Sequence, residues 1–193
     1  MKKQVSMMKQ IGKFWNWLWN SNSLLSWLVS LLLAFVLVRF IFYPLLGLIF
    51  ATSLPLVVVE SGSMEHPGGF DTWWQTQESY YGDFGITGQA IQGWPFKVGL
   101  NKGDIMVIQG KDFEQLKVGD VVVFKPEFQN KAIIHRIVKV EDDYIETKGD
   151  ANIGQISFEE KIKPEQIQGI AIARLPYLGW IKLFFVEAFT GVR

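Results

Sequence analysis

Val57-Val58-Val59-Glu60-Ser61-Gly62-Ser63-Met64-Glu65 is the stretch on which the reading of this chain turns. Three β-branched residues in a row spell a short buried strand. The strand runs into Ser-Gly-Ser, where glycine lets the backbone turn sharply and present a hydroxyl. In isolation such a pair is two turn serines at a strand end. The setting changes that, because a long apolar run of membrane grade stands directly upstream. A serine held at a fixed height outside a bilayer suits a substrate that also lies in that bilayer.

Upstream, residues 1–23 carry Lys2, Lys3, Lys9 and Lys13 and then Trp15, Trp17 and Trp19. Cations followed by tryptophans make a cytoplasmic flank and an interfacial aromatic belt. Residues 24–51 are almost wholly apolar. A spanning helix needs about 20 such residues, so the run predicts an uncleaved transmembrane helix. The small residues of Ala51-Thr52-Ser53 leave open a second reading, in which the segment is removed. Arg39 interrupts the run; a charge at mid-bilayer costs at least about 2.5 kcal/mol, which the surrounding Leu, Val and Phe offset, and the side chain either snorkels or pairs with a partner subunit. Pro44 and Gly47 kink or end the helix. Beyond it stand Glu60, Glu65 and Asp71, with no Lys or Arg between Arg39 and Lys97. The positive-inside rule then places the N-terminus in the cytosol and the chain from about residue 53 on the extracytoplasmic side. Twelve residues separate Ala51 from Ser63, a reach of at most about 40 Å.

Downstream, residues 67–101 are Gly-rich and aromatic and read as an insertion with one short helix near 86–92. Its tryptophans and tyrosines either dip into the membrane interface or pack onto the domain. From residue 103 the texture is β. Ile105–Ile108, Val121–Phe124, Ala132–Val140, Tyr144–Thr147 and Gly169–Leu175 are short apolar runs separated by Gly-Asp and Lys-Pro punctuation. That pattern predicts a mainly β fold, an antiparallel sheet coiled into barrel-like form. Residues 153–168 are a polar connection. Residues 177–193 are apolar but interrupted by Lys182 and Glu187, too short to span, and read as an amphipathic helix, membrane-associated or lying on the domain. The domain reading is therefore 1–23 interfacial, 24–51 transmembrane, 54–176 β-rich, and 177–193 amphipathic tail.

Composition narrows the chemistry. With 19 basic and 19 acidic residues the formal charge is zero, which points to neither nucleic acid nor a polybasic membrane patch. The absence of Cys excludes thiol catalysis and disulfides, and two histidines are too few for a histidine-rich zinc site. A serine nucleophile needs a base within hydrogen-bond reach. His135 lies on the Ala132–Val140 strand, on the face shared with Ile133 and Ile137, where apolar neighbours favour the neutral imidazole. His66, three residues from Ser63, competes from a loop. Asp150, in a Gly-Asp turn, is placed to orient the His135 ring. Each of these residues alone has an ordinary structural explanation.

Together they do not. Ser61-Gly62-Ser63-Met64-Glu65, Gly119-Asp120-Val121-Val122-Val123-Phe124, His135-Arg136-Ile137-Val138 and Thr147-Lys148-Gly149-Asp150-Ala151-Asn152 closely resemble, in order, the boxes of type I signal peptidases. The likeness runs from about residue 54 to 180 and includes Leu175-Pro176-Tyr177-Leu178-Gly179. Bacterial members have a lysine base where this chain has His135, so the resemblance is to the archaeal and endoplasmic-reticulum branch. It implies a membrane-anchored serine endopeptidase that removes signal peptides after small residues at −1 and −3. Ser63 is then the nucleophile and His135 the base. The Ser61 hydroxyl and Ser63 N–H form the oxyanion hole, and Asp150 is the third member. No metal or cofactor is implied. Signal-peptide-bearing preproteins and the lipid bilayer are the implied partners, with accessory membrane subunits as further candidates.

Two departures stand out. One extra residue, His66, separates Glu65 from Pro67. Ile156 stands where many relatives have a second aspartate. The orienting role therefore falls to Asp150 or to another carboxylate, with Asp142, Asp143 and Glu159 still open. The competing readings are an inactive, membrane-tethered β-domain that binds exported peptides, and the same chemistry applied to another class of preprotein.

Overall fold

Helical periodicity at the N-terminus and strand alternation after residue 54 divide the chain into two units, residues 1–49 and 50–193. The structure, a computed structural model, describes residues 2–128 and 131–190.

In the first unit, α1 (Lys2–Asn20) is amphipathic. Met8, Ile11, Trp15 and Leu18 recur at helical spacing along one side, with Lys9, Lys13 and Asn16 on the other. It ends at Ser21-Asn22-Ser23. There the Ser23 hydroxyl accepts the Ser26 N–H at 3.2 Å and caps α2 (Leu24–Leu37). A π turn (Val38–Phe42) and α3 (Tyr43–Ile49) continue the run. Leu24–Ile49 thus forms one helical stretch of 26 residues with a mean hydropathy of 2.5, long and apolar enough to cross a membrane.

In the second unit, six strands form one antiparallel sheet. They are β1 (Leu56–Val58), β2 (Ile105–Gln109), β3 (Val121–Phe124), β4 (Ile133–Val140), β5 (Ile145–Lys148) and β6 (Ile167–Leu175), in spatial order β1-β2-β6-β3-β4-β5. The mainly β, coiled antiparallel fold expected from the punctuation is the fold found. Register shifts at Val107/Ile108, Val123/Phe124 and Ile137/Lys139 act as bulges and curl the sheet into a half-barrel. At Gly169 the fold needs glycine: φ is +138°, and a Cβ would stand 2.3 Å from the Gln109 carbonyl oxygen.

β3 is buried along its whole length and feeds cores on both faces. Val121 and Val123 pack with Val59, Met64, Leu100 and Met106 on one face. Val122 and Phe124 pack with Leu116, Ile137, Ile145 and Ile162 on the other. Full burial of each such side chain contributes about 1.5–3 kcal/mol.

The insertion differs from its sequence reading. Residues 70–83 form a full helix, α4 (Phe70–Asp83), in addition to the short α5 (Gly88–Ile91) near the expected place. Trp73 and Tyr81 are buried with Ile86, Ile91 and Val138, so these aromatics pack the domain. The helical pattern was hidden because α4 is built from aromatic and polar residues with a weak apolar stripe. Its start at Gly69, with φ at +86°, carries no side-chain cap.

α6 (Trp180–Thr190) closes the described chain. Residues 191–193 of the expected tail lie outside the described residues. Leu183 is buried, while Ile181, Phe184 and Phe185 are exposed.

Candidate active site

Ser63 is held from both sides. Its carbonyl accepts the Ala151 N–H at 2.8 Å, and the next carbonyl, of Met64, accepts the Leu100 N–H at 2.7 Å. Met64 is fully buried and wedges the loop into the core. The Ser-Gly-Ser turn closes through the Glu65 N–H donating to the Gly62 carbonyl at 3.0 Å. This leaves the Ser63 side chain partly exposed beside Ser61, whose hydroxyl oxygen is 3.2 Å away.

β4 brings the imidazole. His135 pairs with Val122 in the β3–β4 register, and its Nε2 is 3.0 Å from Ser63 Oγ. The neighbouring turn must come close: a Cβ on Gly149 would stand 2.9 Å from that Nε2 and 2.6 Å from Asn152 Nδ2. Any side chain there would press on the ring or displace Asn152. Glycine in the last box is thus a steric requirement of the imidazole.

The carboxylate that meets the imidazole is Glu159, not the expected Asp150. His135 Nδ1 hydrogen-bonds to Glu159 Oε1. Glu159 is fully buried, and its other oxygen accepts the Ile156 N–H at 2.8 Å, fixing the side chain across its own turn (Ser157–Glu159). Thr147 Oγ1 donates to Oε1 at 3.4 Å. A carboxylate can only accept, so Nδ1 carries the proton, and in the neutral imidazole Nε2 is then bare. That is the tautomer able to take a proton from the serine. The position expected to hold a second aspartate is Ile156; a residue three further on reaches back over the same turn.

Asp150, also fully buried, has a different task. Arg136 grips it with two bonds, Nε to Oδ1 at 2.9 Å and Nη2 to Oδ2 at 2.7 Å. His66 Nε2 donates to Oδ2 at 2.9 Å, and the Tyr81 hydroxyl donates to Oδ1 at 3.4 Å. Burial alone would raise the Asp150 carboxyl. The Arg136 charge and the bonds from His66 and Arg136 outweigh it and hold the group well below the usual carboxylate range. Arg136 also donates to the carbonyls of Pro95, Gly119 and Phe96 and lies over the Trp94 ring, 5.3 Å from its centroid. One buried cation thereby ties the second, third and fourth boxes to the insertion.

His66, the competing base, is committed to this cluster. Its ring stacks on Trp73 with centroids 3.9 Å apart, and Trp73 Nε1 donates to the Asp150 carbonyl at 2.7 Å. The extra residue after Glu65 therefore anchors the Ser63 loop to α4 and the Gly-Asp turn. Lys148 is buried beside it and donates to Gln77 Oε1 at 2.8 Å. Burial pulls its ammonium down to about 8 and pushes the Tyr80 hydroxyl up to about 12.

The sequence reading thus named Ser61, Ser63 and His135, which the fold brings together. It left Glu159 among several carboxylates, and it missed the Arg136 hub and the anchoring role of His66. Among the described residues no group of three His, Asp or Glu side chains is placed to hold a metal ion.

No family model matches the chain. Curated relatives do. The signal peptidase complex catalytic subunit SEC11 of Scheffersomyces stipitis is 27% identical over 158 residues, covering 77% of this chain and 75% of the relative. The same subunit of Lachancea thermotolerans is 28% identical over 160 residues, with 77% and 76% covered. That of Saccharomyces cerevisiae is 31% identical over 100 residues, with 46% and 59% covered. With a serine and a histidine in contact on a curled antiparallel sheet, the chain is similar to these SEC11 catalytic subunits of the signal peptidase complex, homologues from the endoplasmic-reticulum branch of the type I signal peptidases.

Proposed function

We propose that the chain removes signal peptides from exported preproteins with Ser63 as nucleophile, His135 as general base and Glu159 as the residue that positions the imidazole. The observation that carries this reading is the continuous relay from Ser63 Oγ through both nitrogens of His135 to a buried carboxylate. Ser63 Oγ attacks the scissile carbonyl carbon as His135 Nε2 takes the hydroxyl proton. Glu159 stabilises the imidazolium so formed. The imidazolium returns that proton to the leaving amine as the C–N bond breaks, leaving an acyl-serine. Water, deprotonated by the same nitrogen, then hydrolyses the ester and restores the hydroxyl. The Ser61 hydroxyl and the Ser63 N–H are the proposed donors to the oxyanion.

The helix Leu24–Ile49 anchors the enzyme in the membrane that also holds the substrate's apolar segment, which raises effective concentration without a large binding surface. The charge distribution supports a cytosolic N-terminus and a catalytic unit on the exported side. Four lysines stand before residue 14, and the first carboxylate of the chain is Glu60. The exposed Ile181, Phe184 and Phe185 of α6 suit the bilayer interface. The fungal relatives are named as subunits of a signal peptidase complex, which supports accessory membrane subunits as partners.

The test is cleavage of a preprotein by the full chain in detergent, with sequencing of the product's new N-terminus. Cleavage after small residues at −1 and −3 is expected. Glu159→Gln is expected to lower kcat by about 10³–10⁴ with KM little changed, because the amide favours the wrong tautomer. Undiminished kcat in that variant removes Glu159 from the mechanism. Absence of cleavage by the wild type removes the activity.

A further inference from the structure

The stretch that is long and apolar enough to cross a membrane carries a single charge, Arg39, and departs from α-helical geometry at that residue. Val38–Phe42 is a π turn in which the Tyr43 N–H reaches five residues back to the Val38 carbonyl. The next residue is Pro44, which has no N–H to donate. Neither Tyr43, which bonds Val38, nor Pro44 then serves the Arg39 carbonyl, which leaves a notch in the ladder at the residue that carries the guanidinium. Hydrocarbon has nothing to offer either group.

Within residues 24–49 no acidic side chain stands beside this notch. All nineteen carboxylates lie at residue 60 or beyond. Among the described residues, the Arg39 guanidinium meets only the neighbouring Phe40 ring, 5.8 Å from its centroid. A second copy of the same helix would bring another arginine and no acid. Lipid phosphate is a poor answer too. Arg39 is ten residues from Ile49 and fifteen from Leu24, about 15 Å and about 22 Å of helix. Helical side chains lean toward the N-terminus, so Arg39 leans away from the nearer membrane face.

We propose that Arg39 and the π turn form a docking notch for a membrane-spanning segment of another protein that carries an Asp or Glu at matching depth. The carboxylate answers the guanidinium, and the opened backbone gives its helix a close approach. This deepens the reading that the enzyme works with accessory membrane subunits, and it rests on Leu24–Ile49 spanning the bilayer.

The test uses the full chain in phosphatidylcholine vesicles, labelled through Asn22→Cys, since the natural chain has no cysteine. The probe is a synthetic Leu-rich spanning peptide with one central Asp, compared with its all-Leu counterpart by energy transfer. The Asp peptide is expected to associate at least about ten-fold more tightly than the all-Leu peptide. That advantage should persist in Arg39→Lys and vanish in Arg39→Leu. Equal association of the two peptides with the wild type would overturn the proposal, as would an advantage that survives Arg39→Leu. Loss of the advantage on adding anionic lipid would assign Arg39 to lipid phosphate and overturn it as well. Protease protection of the same vesicles checks the span, and preprotein cleavage by Arg39→Leu in detergent checks the enzyme, so failure of either reading is distinguishable from failure of the notch.

Discussion

Ser63→Ala and His135→Ala are each expected to lower kcat for preprotein cleavage by about 10⁴–10⁶, and the double variant to fall no further than the worse single one. The reason is that the two atoms act as one device. Nε2 lies 3.0 Å from Oγ, so in the proposed mechanism removing either side chain stops the same proton transfer. Binding should survive, because KM depends on the peptide's contacts with the sheet and on the shared membrane. Folding should survive as well: Ser63 is partly exposed, and Met64, Leu100 and Ala151 hold its loop through backbone bonds. Single-turnover kinetics of the three variants, with melting temperatures alongside, check both statements. Multiplying losses in the double variant would mean that Ser63 and His135 act independently.

Asp150→Ala is expected to be the most destabilising single change at the site, by about 3–5 kcal/mol. It leaves Arg136 buried with no counter-charge, and it removes the acceptor for His66 as well. Replacing both partners, Asp150→Ala with Arg136→Met, should recover much of that loss, since neither charge then remains in the interior. The pH dependence follows in sign. A carboxyl whose folded pKa lies below its unfolded value of about 3.9 adds stability that is complete above that value. That contribution fades as pH falls through the lower, folded value. Melting temperatures of the full chain in detergent should therefore drop steeply below pH about 4, and Asp150→Asn should flatten that drop. A catalytic defect in Asp150→Asn larger than in Glu159→Gln, with no change in melting, would reverse the roles assigned to these two acids.

How far these roles could be read from the residues alone depended on whether they rest on local pattern or on packing. Strand positions came from alternation and Gly-Asp punctuation, which act within a few residues of each strand. Ser63 and His135 came from the order of the boxes. The choice between Asp150 and Glu159 did not, because it turns on which carboxylate meets Nδ1 and which meets a guanidinium across the sheet. Glu159 sits in a polar connection, where burial is the exception, and nothing in Ser157-Phe158-Glu159 marks it as interior. Asp150 carried the family's motif, but Arg136, the residue after the base on β4 and facing the opposite side, claims it first. α4 was hidden for a related reason: its aromatics are buried by contacts with His66, the Gly-Asp turn and Val138, none of which is local in sequence.

Catalysis by the proposed route requires that Ser63 become an ester. Mixing the full chain in detergent with an activated peptide ester ending in Ala, quenching in acid and mapping the adduct by mass spectrometry tests that directly. The expected result is one acyl group on Ser63 in the wild type, accumulating slowly in Glu159→Gln and absent in His135→Ala. An adduct on another residue, or none on Ser63 while preprotein is still being cut, would contradict it.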